Sequence, residues 1–199
     1  MATATFRGFV CVALPPDIKA FLGRFMADAG PSFHTDFRFV PSENLHITLQ
    51  FLGDVERAMV PRLLQEIEQS IAHISPFELC LGSASAFPAS GRPRVLYIGT
   101  GEGSRRLAQL ARSVRRALSA MGFKEDKPFK SHITLARRKR GAGSFGALDE
   151  RNAWQEAFAG REKPGLCWQV SEVLLMESTL YPTGAVYTQL GRVALPGGQ

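Results

Sequence analysis

Apolar residues dominate the run from Arg7 to Leu14 (R-G-F-V-C-V-A-L), and two prolines close it, so it predicts a buried strand. Pro16 then suits a first helical turn, with Asp17 favourable to the helix dipole. Ile18, Phe21, Leu22 and Phe25 recur at helical spacing, and Gly30-Pro31 predicts the stop. Phe37–Val40 and Leu45–Leu52 read as strands. Val60, Leu63, Leu64, Ile67 and Ile71 mark a second amphipathic helix. Strands follow at Phe77–Phe87 and Arg94–Ile98.

A third helix buries Leu107, Leu110, Ala111, Val114, Leu118 and Met121 and stops at Gly122; its other face carries Arg105, Arg106, Arg112, Arg115 and Arg116. Another strand is predicted at Ser131–Ala136, then a basic, Gly-rich mobile loop from Arg138 to Gly146, then a short helix over Glu150–Ala159. Val170–Leu180 and Ala185–Leu195 read as the last two strands, joined by a Tyr181-Pro182-Thr183-Gly184 turn. Helices interleaved with short, closely connected strands predict an α+β fold of mainly antiparallel sheet. No Pro/Ser-rich linker divides the chain. Residues 1–199 are therefore expected to form a single domain of two lobes.

Composition narrows the class. At 45% hydrophobic and 21% charged, the chain is globular rather than disordered. No apolar run approaches the roughly 20 residues of a spanning helix, and no membrane partner is expected. Cys11, Cys80 and Cys167 are odd in number and lack a C-x-x-C pair. They predict neither a disulfide framework nor a cysteine zinc site, and a reducing, cytoplasmic setting fits them. The net charge is +6, but residues 105–140 hold twelve Lys and Arg against Glu125 and Asp126. A mildly acidic body with one basic segment points to a polyanionic partner.

The chemistry enters through a repeat. The tetrapeptide H-I-T-L occurs at His46-Ile47-Thr48-Leu49 and again at His132-Ile133-Thr134-Leu135, 86 residues on. Such a repeat suggests two related halves. On a strand, residues i and i+2 share a face, so His and Thr project together while Ile and Leu project to the core. Two facing copies would line a groove with two imidazoles and two hydroxyls. Histidine titrates near ~6.5, so one ring can take a proton from water while the other gives one to a leaving oxygen. The threonines can hydrogen-bond phosphoryl oxygens. That set suits in-line displacement at a phosphodiester with no metal and no cofactor. A zinc site lacks a third ligand and an H-E-x-x-H. His34, in a polar loop, and His73, at a helix end, are expected to be solvated.

These motifs, together with Val40-Pro41-Ser42-Glu43-Asn44-Leu45 before the first copy, Phe129-Lys130-Ser131 before the second, and the Glu177–Leu180 and Gly184–Tyr187 segments, resemble the 2H phosphoesterase superfamily. The likeness is to its bacterial LigT-like branch of RNA 2′,3′-cyclic phosphodiesterases, also called 2′-5′ RNA ligases. The resemblance implies a bilobal 2H phosphoesterase fold, with two pseudo-symmetric antiparallel lobes, outer helices and a central cleft. It implies a monomer that opens 2′,3′-cyclic phosphate ends of RNA to 2′-phosphates. His132 would activate water and His46 would protonate the departing 3′ oxygen. Thr48, Thr134 and Arg137 would hold the phosphate. Two alternatives remain at this stage: 2′-5′ RNA ligation at the same site, and a non-catalytic RNA-binding module.

Three local features carry expectations of their own. Ser131 stands where the family often has proline, which predicts a looser entry to the second motif strand. Arg137 lies three residues beyond Thr134, so simple alternation points it away from the groove unless the strand bends. Arg138, Lys139 and Arg140 are expected to meet upstream RNA phosphates.

Overall fold

The computed structural model describes residues 4–33, 35–124, 127–141, 147–161, 166–182 and 184–197. The chain runs β1 (Thr5–Ala13), α1 (Pro16–Phe33), β2 (Phe37–Phe39), β3 (His46–Glu56), α2 (Val60–Ile71), β4 (Phe77–Phe87) and β5 (Val95–Thr100). It continues through α3 (Ser104–Ala120), β6 (His132–Arg138), α4 (Ala147–Ala159), β7 (Cys167–Val170), β8 (Glu172–Tyr181) and β9 (Gly184–Ala194). The strands form two antiparallel sheets, ordered β3-β1-β8-β9 and β2-β6-β5-β4-β7. Each H-I-T-L copy therefore sits in its own sheet, β3 in one and β6 in the other, and the two strands approach each other.

Ile47, Leu49, Ile133 and Leu135 are all 0% exposed, within one apolar cluster that draws on both sheets and on α1–α3. Burying each such side chain contributes roughly 1.5–3 kcal/mol, which fixes the register that turns His and Thr the other way.

Both motif strands then bulge. On β3, Thr48 opposes Cys11 and Gln50 opposes Val10, leaving Leu49 as the extra residue. On β6, Thr134 opposes Tyr97 and Ala136 opposes Leu96, leaving Leu135 extra. A bulge adds one residue and resets the alternation. Each extra carbonyl finds a donor outside its ladder: Arg115 Nε donates to the Leu49 oxygen at 2.8 Å, and the Val40 N–H to the Leu135 oxygen at 2.8 Å.

Four expectations are corrected. First, α1 runs through Gly30-Pro31 to Phe33, because that last turn seats Phe33 against Phe37 and Trp154 at ring separations of 6.3 and 5.5 Å. Second, the single strand read over Val170–Leu180 is two, broken at Ser171, where the chain leaves one sheet for the other; unbroken apolar alternation gives no sign of that switch. Third, Cys80 and Cys167 form a disulfide, because the β4–β7 register sets them directly opposite, a pairing invisible at a sequence separation of 87. The ground for reading a reducing setting from the cysteines goes with it. Fourth, Ser131 is not a loose entry: Thr100 Oγ1 donates to its Oγ at 2.7 Å. His73 is exposed just past α2. His34, Thr183 of the last turn and residues 142–146 of the basic loop lie outside the described residues. No described helix is long and apolar enough to cross a membrane.

Candidate active site

Both histidines are held by the same local device. His46 Nδ1 lies 2.7 Å from the carbonyl oxygen of Asn44, and His132 Nδ1 lies 2.7 Å from that of Lys130. A carbonyl can only accept, so each Nδ1 carries a proton and each Nε2 presents its lone pair. Thr48 Oγ1 donates to His46 Nε2 at 3.0 Å. Thr134 is half-buried on the face of its strand that carries His132.

Each ring is also wedged between two aromatics. His46 packs against Phe9 at 4.8 Å and Tyr187 at 5.3 Å. His132 packs against Phe87 at 4.9 Å and Tyr97 at 5.4 Å. The Lys130 ammonium covers the latter pair, 4.9 Å from the Phe87 ring and 5.4 Å from the Tyr97 ring. Sequence reasoning singled out none of these aromatics for the site. Their signal is strand parity, which becomes readable once the register is known: Tyr97 opposes Thr134, and Phe9 opposes Phe51.

Arg137 does reach the groove. The Leu135 bulge returns the next outward position to the histidine face, so the bend that simple alternation required is present. Its charge acts on His46, His132 and Tyr187, which come from both sheets.

Burial pushes His46 down to about 4, against a partly compensating hydrogen bond to Asn44; the charges of Arg137, His132 and Lys19 lower it further. Burial also lowers His132, opposed by the Lys130 carbonyl and reinforced by Arg137 and the Lys130 ammonium. Burial raises Tyr187 above its ordinary value, so it stands as a neutral phenol. At neutral pH both imidazoles of the empty groove are thus uncharged, and an entering anion is what favours protonating one of them.

Beside His46 opens a cavity of about 430 Å³, lined among others by Phe9, Cys11, Lys19, Met176, Gly184 and Tyr187. Asn44 Nδ2 donates to the Ala185 carbonyl at 2.8 Å and ties the loop before β3 to β9 at its rim. Among the described residues, three potential metal donors converge at Glu78, Cys80 and Cys167, two of which are the disulfide sulfurs. They belong to β4 and β7, two and three strands from His132 in the same sheet.

The basic segment divides. The Arg138 side chain is only 9% exposed and makes ion pairs to Glu150 and to Asp36. Its Nε donates to the Pro93 carbonyl, and its guanidinium stacks on Phe37 at 4.5 Å. It is a structural residue, which corrects its expected role on RNA. Arg115 braces the β3 bulge, and Arg106 bonds the Ser75 carbonyl over the Phe77 ring. The twelve cations are not one surface.

A family model described as the 2′-5′ RNA ligase superfamily matches residues 14–181. The chain belongs to that superfamily. It is 34% identical to the RNA 2′,3′-cyclic phosphodiesterase of Thermus thermophilus, over 96% of this chain and 91% of the relative. It is 35% identical to the protein of the same name from Archaeoglobus fulgidus, over 76% and 80%. Its fold superposes on E. coli LigT complexed with 3′-AMP with a TM-score of 0.75 at 27% identity, over 96% of this chain and 99% of that one. The paired antiparallel sheets of this 2′-5′ RNA ligase superfamily member agree with the architecture that its repeat implies.

Proposed function

We propose that this protein hydrolyses the 2′,3′-cyclic phosphate at the 3′ end of RNA to a 2′-phosphate, using His46 and His132 as acid and base and no metal. The observation that carries the reading is the matched pair of imidazoles. Each has Nδ1 tied to the carbonyl two residues before it, and so each offers Nε2 for proton transfer.

Water attacks phosphorus, and its proton passes to His132 Nε2 as the new P–O bond forms. The P–O3′ bond breaks on the opposite side, and His46 Nε2–H protonates the leaving O3′. The cavity lies beside His46, and both O2′ and O3′ belong to the terminal ribose. A ribose lodged there sets its leaving oxygen next to His46, leaving His132 for the water side. Thr48, Thr134 and Arg137 hold the non-bridging oxygens, with the Arg137 contact charge-assisted.

The test is a short RNA ending in a 2′,3′-cyclic phosphate, incubated with EDTA, with the product resolved by chromatography. A 2′-phosphate is expected. His46→Ala and His132→Ala should each lower turnover by about 10²–10⁴-fold. A 3′-phosphate product, or wild-type rates in both variants, would overturn the reading.

A further inference from the structure

On β2, Arg38 is the direct cross-strand partner of Arg137. Directly opposed residues share a face of a sheet, and like charges placed there repel. Arg38 is exposed, and its Nη2 approaches the rim of the His46 cavity: a Cβ at Gly184 would stand 3.4 Å from it. Two guanidiniums thus sit side by side where the two sheets meet.

Farther along β6 opens a second cavity of about 430 Å³, lined by Pro88, Arg92, Arg94, Arg138, Lys139 and Gly141. Its walls are built. Arg151 of α4 donates to the carbonyls of Pro88, Ala89 and Gly91, and Arg138 Nε to that of Pro93, so the loop bearing Arg92 and Arg94 is pinned from two sides. Arg138 is held by Glu150 and Asp36; Arg92, Arg94 and Lys139 are exposed at the mouth of the cavity.

We propose that the Arg38–Arg137 pair and the Arg92–Arg94–Lys139 cavity form a phosphate track for the nucleotides upstream of the reacting end, so that the enzyme prefers oligoribonucleotides to mononucleotides. This rests on the cyclic-phosphate reading above. Along β6 the order is His132 and Thr134, then Arg137, and Lys139 follows just past the strand's end, which leads away from the reacting centre in one direction. At about 3.3 Å per residue, β6 carries the charge roughly 20 Å beyond His132, farther than one nucleotide's own phosphate requires. A mononucleotide reaches only the start of that track; a strand follows it. Guanidiniums suit the role because their planar fork matches phosphate oxygens.

The experiment compares three substrates: a 2′,3′-cyclic mononucleotide, the same with a 5′-phosphate, and a pentaribonucleotide with a cyclic-phosphate end. The wild type is expected to show kcat/KM rising at least tenfold across the series, with the steepest salt dependence for the pentamer. Arg92→Gln/Arg94→Gln should raise the pentamer KM at least fivefold and flatten its salt slope, by about 0.7 for each phosphate no longer neutralised, without moving the mononucleotide KM. Arg38→Gln should remove the gain from the 5′-phosphate. Equal kcat/KM across the series in the wild type, or equal losses on mononucleotide and pentamer in the variants, would overturn the track. Failure of the wild type to turn over any of the three would overturn the cyclic-phosphate reading instead.

Discussion

Phe51 and Arg137 occupy matching places in the two halves of the groove. Each is the first outward residue after the bulge that follows a H-I-T-L tetrapeptide, and each returns to its histidine's face because of that bulge. One half spends the position on an apolar ring, 54% exposed and 6.4 Å from Phe9; the other spends it on a cation. The repeat is symmetric in its backbone and polarised in its chemistry.

That difference predicts unequal mutational effects. Arg137→Gln should lower kcat/KM for a cyclic-phosphate substrate by about 10–100-fold, the worth of one charge-assisted hydrogen bond. Arg137→Lys should recover only part, since an ammonium keeps the charge and loses the fork. Melting temperatures should stay within a few degrees for both, because the side chain is exposed. Steady-state kinetics with full activity in Arg137→Gln would contradict the assignment.

The lowered imidazoles fix the pH profile. In the free enzyme His46 titrates at about 4 and His132 below 6.5, so kcat/KM should peak on the acid side of pH 6.5. A bound cyclic phosphate is an anion and favours imidazolium, so the kcat profile should be displaced to higher pH. A kcat/KM maximum at or above pH 7 would be incompatible with these environments.

The same shift makes stability fall with acid. His46 ionises in the unfolded chain near ~6.5 but in the folded chain only at about 4. Between those values the unfolded state holds the extra proton, so stability present above pH 6.5 is lost as pH falls toward 4. Urea denaturation at several pH values should show that decline in the wild type and a shallower one in His46→Gln. Parallel declines would refute the linkage.

Arg138 offers a test far from catalysis. Arg138→Met leaves Glu150 buried without its partner and should cost about 3–5 kcal/mol. Arg138→Met/Glu150→Leu should recover only part of it, since it removes the uncompensated Glu150 but leaves the buried Asp36 without its cation. Denaturant titration of the three proteins decides; a double variant no more stable than Arg138→Met would refute this account.

Much of this was legible in the chain. The alternation in H-I-T-L placed Ile47, Leu49, Ile133 and Leu135 in the core and their histidines in the groove, because side-chain period is a local property. Partners set by register were not legible. Arg38 beside Arg137, Cys80 beside Cys167 and Tyr187 beside His46 are pairings between distant segments. Charge counting likewise saw Arg138 and Arg137 as equals, although one is sealed between Glu150 and Asp36 and the other faces the groove. The bulges were the hinge of the matter: an extra residue leaves no mark in hydropathy, yet it decides which way Arg137 points.

The sheet order bears on how the enzyme comes into being. The sheet of His132 is assembled wholly from strands between Phe37 and Val170, whereas that of His46 needs β1 and β3 together with β8 and β9. On the ribosome, the first motif to emerge is therefore the last to be housed. The strands that seat His132 are thus complete in sequence before the closing β8–β9 hairpin, whereas the sheet that seats His46 is complete only with it.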